Sequence, residues 1–143
     1  MKTIIIVDDD SIFRFYLVTV LRGAGYMVLE AENGEVCLER INSTSIDLVI
    51  TDILMPKMDG IDLLANLMRN HPHIKVIAIS GGHPNVHSQR ILEMARSFGA
   101  MDIIAKPFAT ETFLYRIMKI FQSTHGSLED NNDEYCNRIS GVA

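Results

Sequence analysis

Five short runs rich in β-branched residues alternate with five longer stretches of helical periodicity, and this repeated change of period constrains the fold more than any other feature of the chain. The runs are TIIIVD at 3–8, MVLEA at 27–31, DLVIT at 47–51, KVIAI at 75–79 and DIIA at 102–105. The first, third and fourth are almost wholly apolar, as parallel strands covered on both faces must be. Helical spacing occupies about 11–22, 33–42, 60–69, 85–98 and 110–122. The boundaries carry fitting signals: Gly23 and Gly25 close the first helix, Asn33 and Asp59 cap the second and third, and Gly99 ends the fourth. Joined by right-handed crossovers, these elements predict an α/β fold, a three-layer (βα)5 sandwich.

At 143 residues the chain has room for one substantial core, and with 48% hydrophobic and 22% charged residues it has the composition to form one. The pattern stops after Gln122, so residues 1–122 are expected to be the folded unit and 123–143 a polar, disordered tail. Of the net charge of −5, the tail carries −3, from Glu129, Asp130, Asp133 and Glu134 against Arg138. The remaining −2 leaves no basic surface for nucleic acid, and no further set of helices is written that could form a DNA-binding domain. No apolar run approaches the ~20 residues that span a bilayer, which points to a cytoplasmic protein. Cys37 and Cys136 fit no metal spacing and suit a reducing compartment.

In open parallel sheets, ligands gather at the carboxyl ends of the strands. Here those ends supply Asp8, Asp9 and Asp10 after the first run, Asp52 after the third, Ser80 with Gly81 and Gly82 after the fourth, and Lys106-Pro107 after the fifth. A single aspartate at a strand end is ordinarily a turn or a cap. Several carboxylates brought together repel one another and stay ionised only if cations offset them, and hard oxygen donors of this kind suit Mg²⁺.

The strings IIIVDDD, TDILMPKMDG, ISGG and AKPF, in this order and at these strand ends, resemble the response-regulator receiver family of two-component signalling, which includes the stand-alone chemotaxis response regulators. The resemblance covers about residues 3–122. It implies a flavodoxin-like, doubly wound sheet of order 2-1-3-4-5. It makes Asp52 the phosphorylation site, a nucleophile that takes a phosphoryl group from a histidine kinase, a histidine phosphotransfer protein or a small phosphodonor. By the same resemblance Asp8, Asp9, Asp52 and the backbone carbonyl of Leu54 hold Mg²⁺. Ser80, the Gly81 amide and Lys106 would meet the phosphoryl oxygens. Asp10 is read mainly as the cap of the first helix. Pro56 and Gly60 shape the loop after Asp52, and a cis Lys106-Pro107 bond is expected to aim the lysine inward.

Catalysis in such a protein is confined to phosphorylation and dephosphorylation of its own aspartate. Output would pass to a downstream target protein through the face formed by helix 4, strand 5 and helix 5. A phosphorelay intermediate and a receiver cut from a longer regulator are the alternatives. An aspartate-nucleophile phosphatase would show D-x-D where Asp52 is followed two residues later by Leu54, and a flavin site would want a glycine- or hydroxyl-rich first loop where this one is acidic. The pairs His71/His73 and His83/His87 are read as solvated loop residues. Phe13, Phe15, Tyr16, Phe113, Tyr115, Met118 and Phe121 are read as core and flank.

Two departures from the family pattern bear on function. Ile103 stands three residues before the lysine, where many members carry an aromatic switch residue, so coupling must run through Ser80, its loop and the fourth helix. Leu54 and Gly82 flank the phosphoryl position, and neither side chain can hydrogen-bond an attacking water, which implies slow self-dephosphorylation. Leu54→Asn should therefore speed phosphoryl decay, followed as loss of label in Mg²⁺, and an unchanged decay rate would count against the reading.

Overall fold

The computed structural model describes residues 1–53, 60–81 and 88–122, with Ser80 and residues 88–92 described as backbone. Leu54, Pro56, Asp59, Gly82, His83, His87, Cys136 and the expected tail at 123–143 lie outside the described residues. Five strands and five helices alternate: β1 (Thr3–Val7), α1 (Ser11–Gly23), β2 (Met27–Ala31), α2 (Gly34–Ser43), β3 (Leu48–Asp52), α3 (Gly60–Asn70), β4 (Lys75–Ser80), α4 (Ser88–Ser97), β5 (Asp102–Ala105) and α5 (Thr110–Gln122). All neighbouring strands pair in parallel, in the order β2-β1-β3-β4-β5. This is the doubly wound, flavodoxin-like sandwich expected from the sequence.

Strand alternation divides the core into two layers. Ile4, Ile6, Leu48, Ile50, Ile77, Ile79 and Ile104 meet Leu17, Leu21, Phe113 and Ile117 of α1 and α5 on one face. Ile5, Val7, Val49, Val76 and Ala78 meet Cys37, Leu63, Leu64, Leu67 and Ala95 of α2, α3 and α4 on the other. Cys37 is a free thiol that burial pushes up to about 12, so it behaves as a small apolar side chain. At the amino ends of the strands, Lys75 Nζ donates to the Ile120 carbonyl at 2.8 Å, while Tyr26 and Lys2 lie against the Phe121 ring.

Four strand boundaries differ from the sequence expectation by one residue: β1 ends at Val7 rather than Asp8, β3 covers 48–52 rather than 47–51, and β4 ends at Ser80 rather than Ile79. Two of the four have a polar cause. Asp47 precedes β3 because its Oδ2 accepts from the Thr3 amide at 2.8 Å, tying the strand's entry to β1. Asp8 follows β1 because its Oδ1 accepts from the Asp10 amide at 2.8 Å and starts the turn into α1. At the helix ends, Asp10 accepts from the amides of Ile12 and Phe13, and Asn33 accepts from Val36. Gly25 and Gly99 adopt positive φ of 96° and 97° beyond the ends of α1 and α4, which an L side chain would resist.

Gly60 is constrained by contact rather than by dihedral. Its amide donates to the Ile53 carbonyl at 2.8 Å, and a Cβ there would lie 2.3 Å from the Asp52 carbonyl oxygen and 2.5 Å from Ile53 Cα. Neither obstacle is a side-chain end that can swing away. Gly60→Ala should push α3 off the end of β3 and cost about 2–3 kcal/mol, read from urea unfolding midpoints at constant m. A loss below half of one kcal/mol would mean that the approach relaxes easily.

Candidate functional site

The register of the central strands sets the site. Val7 pairs with Thr51 across β1 and β3, so Asp8 and Asp52 stand at the next positions of adjacent strands, on the carboxyl edge of the sheet. Asp52 is the last residue of β3 and pairs with Ile79, which places Ser80 one step further along β4. Ala105 pairs with Ser80 and leads into Lys106. The sheet thus delivers four chain segments to one edge.

Asp8 and Asp52 are buried, at 2% and 8% exposure, whereas Asp9 faces solvent. One carboxylate oxygen from each of Asp8, Asp9 and Asp52 lies within 4.8 Å of the others, and this is the one such group of potential metal donors among the described residues. His71 and His73 pair edge to face with ring centroids 6.2 Å apart and join no such group. Ligands of an octahedral Mg²⁺ stand about 3.0 Å apart when adjacent and about 4.2 Å when opposite, so side-chain movements of about an ångström or two bring the three oxygens onto one ion. The donor set fits: it is all oxygen, anionic and open to water on the Asp9 side.

Lys106 supplies the local positive charge. Its Nζ lies 3.3 Å from Asp8 Oδ2 and 3.4 Å from Asp52 Oδ2, and the Lys106-Pro107 bond is cis, as expected. A Cβ built on Gly81 would come within 3.8 Å of Lys106 Cδ, so the Gly81 backbone also borders this space. The Ser80 side chain and Leu54 lie outside what is described.

Asp10 does not join the cluster. It caps α1, the role expected for it, and thereby fixes the loop that carries the other two aspartates. Two neighbours of the cluster carry no motif signal in the sequence. Arg14 donates from Nη1 to the Asp8 carbonyl at 2.6 Å and from Nε to Glu30 at 3.0 Å, bracing the loop against β2. Phe13 lies directly beside Lys106, with its ring centroid 3.8 Å from Nζ. The one available signal was helical spacing, which puts both residues on the first turn after the acidic run.

Residues 4–118 match the family model of the response regulator receiver domain. The chain belongs to that family. This receiver domain is 34% identical over 120 residues to the chemotaxis protein CheY of Thermotoga maritima, covering 83% of this chain and 97% of that protein. It is 32% identical over 134 residues to the transcriptional regulatory protein CpxR of Escherichia coli K12, spanning 94% of this chain but 55% of CpxR. Among solved structures it resembles the response regulator TrrA of Thermotoga maritima, crystallised in complex with Mg²⁺-BeF, with TM-score 0.70, 28% identity and coverage of 83% of this chain and 98% of that one. Receiver domains are signalling modules that interact with histidine kinases and downstream effectors and are not classical enzymes. The family binds Mg²⁺ in an acidic pocket, and the cluster of Asp8, Asp9 and Asp52 is the acidic pocket of this receiver.

Burial is the main influence on Asp8 and raises its carboxyl above the ordinary 3.8; the Asp10 amide and Lys106 oppose the rise, and the Asp52 charge adds to it. The folded receiver therefore keeps this proton to higher pH than the unfolded chain does. Stability from this group is lost as pH climbs from 3.8 through the raised value, and stays lost above it. Asp8→Asn should raise the thermal midpoint of the metal-free receiver at pH 7, with the gain shrinking toward pH 4 and on adding Mg²⁺ to both proteins. A midpoint at or below wild type in metal-free buffer would refute this.

Proposed function

We propose that this receiver works as a phosphorylation-controlled binding module, with Asp52 as its phosphoryl acceptor. The observation that carries the reading is the convergence of Asp8, Asp9 and Asp52 within 4.8 Å, with the Lys106 ammonium on two of the three. Asp8, Asp9, Asp52 and the Leu54 carbonyl would hold Mg²⁺, which when bound supplies positive charge to the transferring phosphoryl oxygens.

An Asp52 carboxylate oxygen forms the new bond to phosphorus while the bond from phosphorus to the donor's imidazole nitrogen, or to the oxygen of a small acyl phosphate, breaks. The electron pair of that bond leaves with the donor. Lys106 lies 3.4 Å from Asp52, close enough to exchange its carboxylate contacts for the arriving phosphoryl oxygens. The Ser80 hydroxyl and the Gly81 amide take the remaining oxygens in this reading. The donor is a histidine kinase or a histidine phosphotransfer protein.

Output would follow from a changed surface at α4, β5 and α5, where Ile103 packs half-buried on the α4 side of the sheet and Arg116 donates to the Ile103 carbonyl at 3.1 Å. The ligand of that surface is a protein target. Residues 1–122 form the receiver unit in this reading and 123–143 a polar extension. No helix of the described residues is long and apolar enough to cross a membrane, and the kinase-facing role places the module in the cytoplasm.

Intact mass after incubation with Mg²⁺ and acetyl phosphate tests the acceptor directly. Wild type should gain one phosphoryl group and Asp52→Asn none. No adduct in wild type with this donor or with histidine kinases, or an adduct that survives in the variant, would overturn the assignment.

A further inference from the structure

The ring of Phe13 occupies a position that the transfer reading leaves unexplained. Its centroid is 3.8 Å from Lys106 Nζ, close contact for an ammonium over an aromatic face. Lys106 thus sits between two carboxylates, at 3.3 and 3.4 Å, and a ring. Attraction to the carboxylates is radial and leaves a four-carbon stem many rotamers, whereas a ring face closes off one side of the space. The ring itself is held from several directions. The Phe13 amide donates to the Asp10 carboxylate at 3.1 Å, its ring lies edge-to-face with Phe108 with centroids 6.0 Å apart at 76°, and Phe108 stacks on the buried Phe113 with centroids 5.1 Å apart. The ring therefore spans the acidic loop and the segment after Lys106, clamping one against the other.

We propose that Phe13 is a positioning residue for phosphoryl transfer, holding the Lys106 ammonium over the Asp8 and Asp52 carboxylates before the phosphodonor arrives. The inference rests on the reading of Asp52 as acceptor and adds a role for a side chain that meets neither metal nor phosphoryl group. During transfer Lys106 gives up its carboxylate contacts for phosphoryl oxygens, and the ring face is the contact it can keep. Any aromatic face of similar size should serve, and an aliphatic side chain of similar volume should not.

The test measures the rate of Asp52 phosphorylation by acetyl phosphate in Mg²⁺ for wild type, Phe13→Leu, Phe13→Tyr, Lys106→Met and the Phe13→Leu/Lys106→Met double variant. Phe13→Leu should slow labelling roughly three- to tenfold, and Phe13→Tyr should stay within about twofold of wild type. In the Lys106→Met background, Phe13→Leu should cost nothing further. A wild-type rate in Phe13→Leu, an equal loss in both backgrounds, or a loss in Phe13→Tyr matching that in Phe13→Leu would overturn the proposal. Proton NMR gives a second readout independent of labelling: the ring current should move the Lys106 ε-methylene resonance upfield in wild type and Phe13→Tyr, and the shift should vanish in Phe13→Leu. If wild type takes no phosphoryl group from acetyl phosphate or from histidine kinases, the acceptor assignment fails by itself, and the resonance still decides whether Phe13 holds the lysine; an unshifted resonance overturns that hold.

Discussion

Like charges held together at the end of a parallel sheet are the constraint on which the rest of this molecule turns. Asp8 and Asp52 are buried on neighbouring strands because the register of β1 and β3 leaves them no other place, and Asp9 stands beside them at the solvent edge. Their mutual repulsion is a cost of the fold. Its partial relief by Lys106, just beyond the end of β5, two strands from β3 and three from β1, links the site to the assembly of β1, β3, β4 and β5. The apolar layers above and below the sheet supply the burial that offsets it.

The surroundings of the cluster hold its geometry without neutralising it. Asp10 spends its carboxylate on the α1 amides, and Arg14 spends its guanidinium on the Asp8 carbonyl and Glu30. Neither neutralises the cluster, yet both fix the loop that bears it. On the other side, the missing Cβ of Gly60 lets α3 begin against the backbone of Asp52 itself. In the proposed transfer such a frame would make alignment cost little, because the loop is already held before any donor arrives.

Most of the architecture was legible in the sequence, because parallel strands covered on both faces write nearly continuous apolar runs and helices write a different period. The strand-boundary differences were single residues in β1, β3 and β4; at Asp8 and Asp47 the carboxylate accepts a nearby amide where strand meets loop, while the backbone amides still donate to Ala31 and Thr3. Asp8, Asp9, Asp52 and Lys106 were legible as a set because their strand ends fall on one edge of the sheet. Phe13 was not, since a phenylalanine on an amphipathic helix reads as core, and only the fold shows which charge it faces. Phe15, at 70% exposure, departs furthest from a core reading and stands on the outward side of the same helix.

The contacts at the lower end of α5 have a geometric consequence. Lys75 reaches the Ile120 carbonyl from the first residue of β4, and Phe121 lies against Tyr26 and Lys2 beside the starts of β2 and β1. The helix therefore finishes at the opposite pole of the sheet from the aspartates, a strand's length away, about 16 Å for five residues. The described residues thus come to an end at the pole farthest from the carboxylates, so α5 ties the two ends of the sheet together along its whole length.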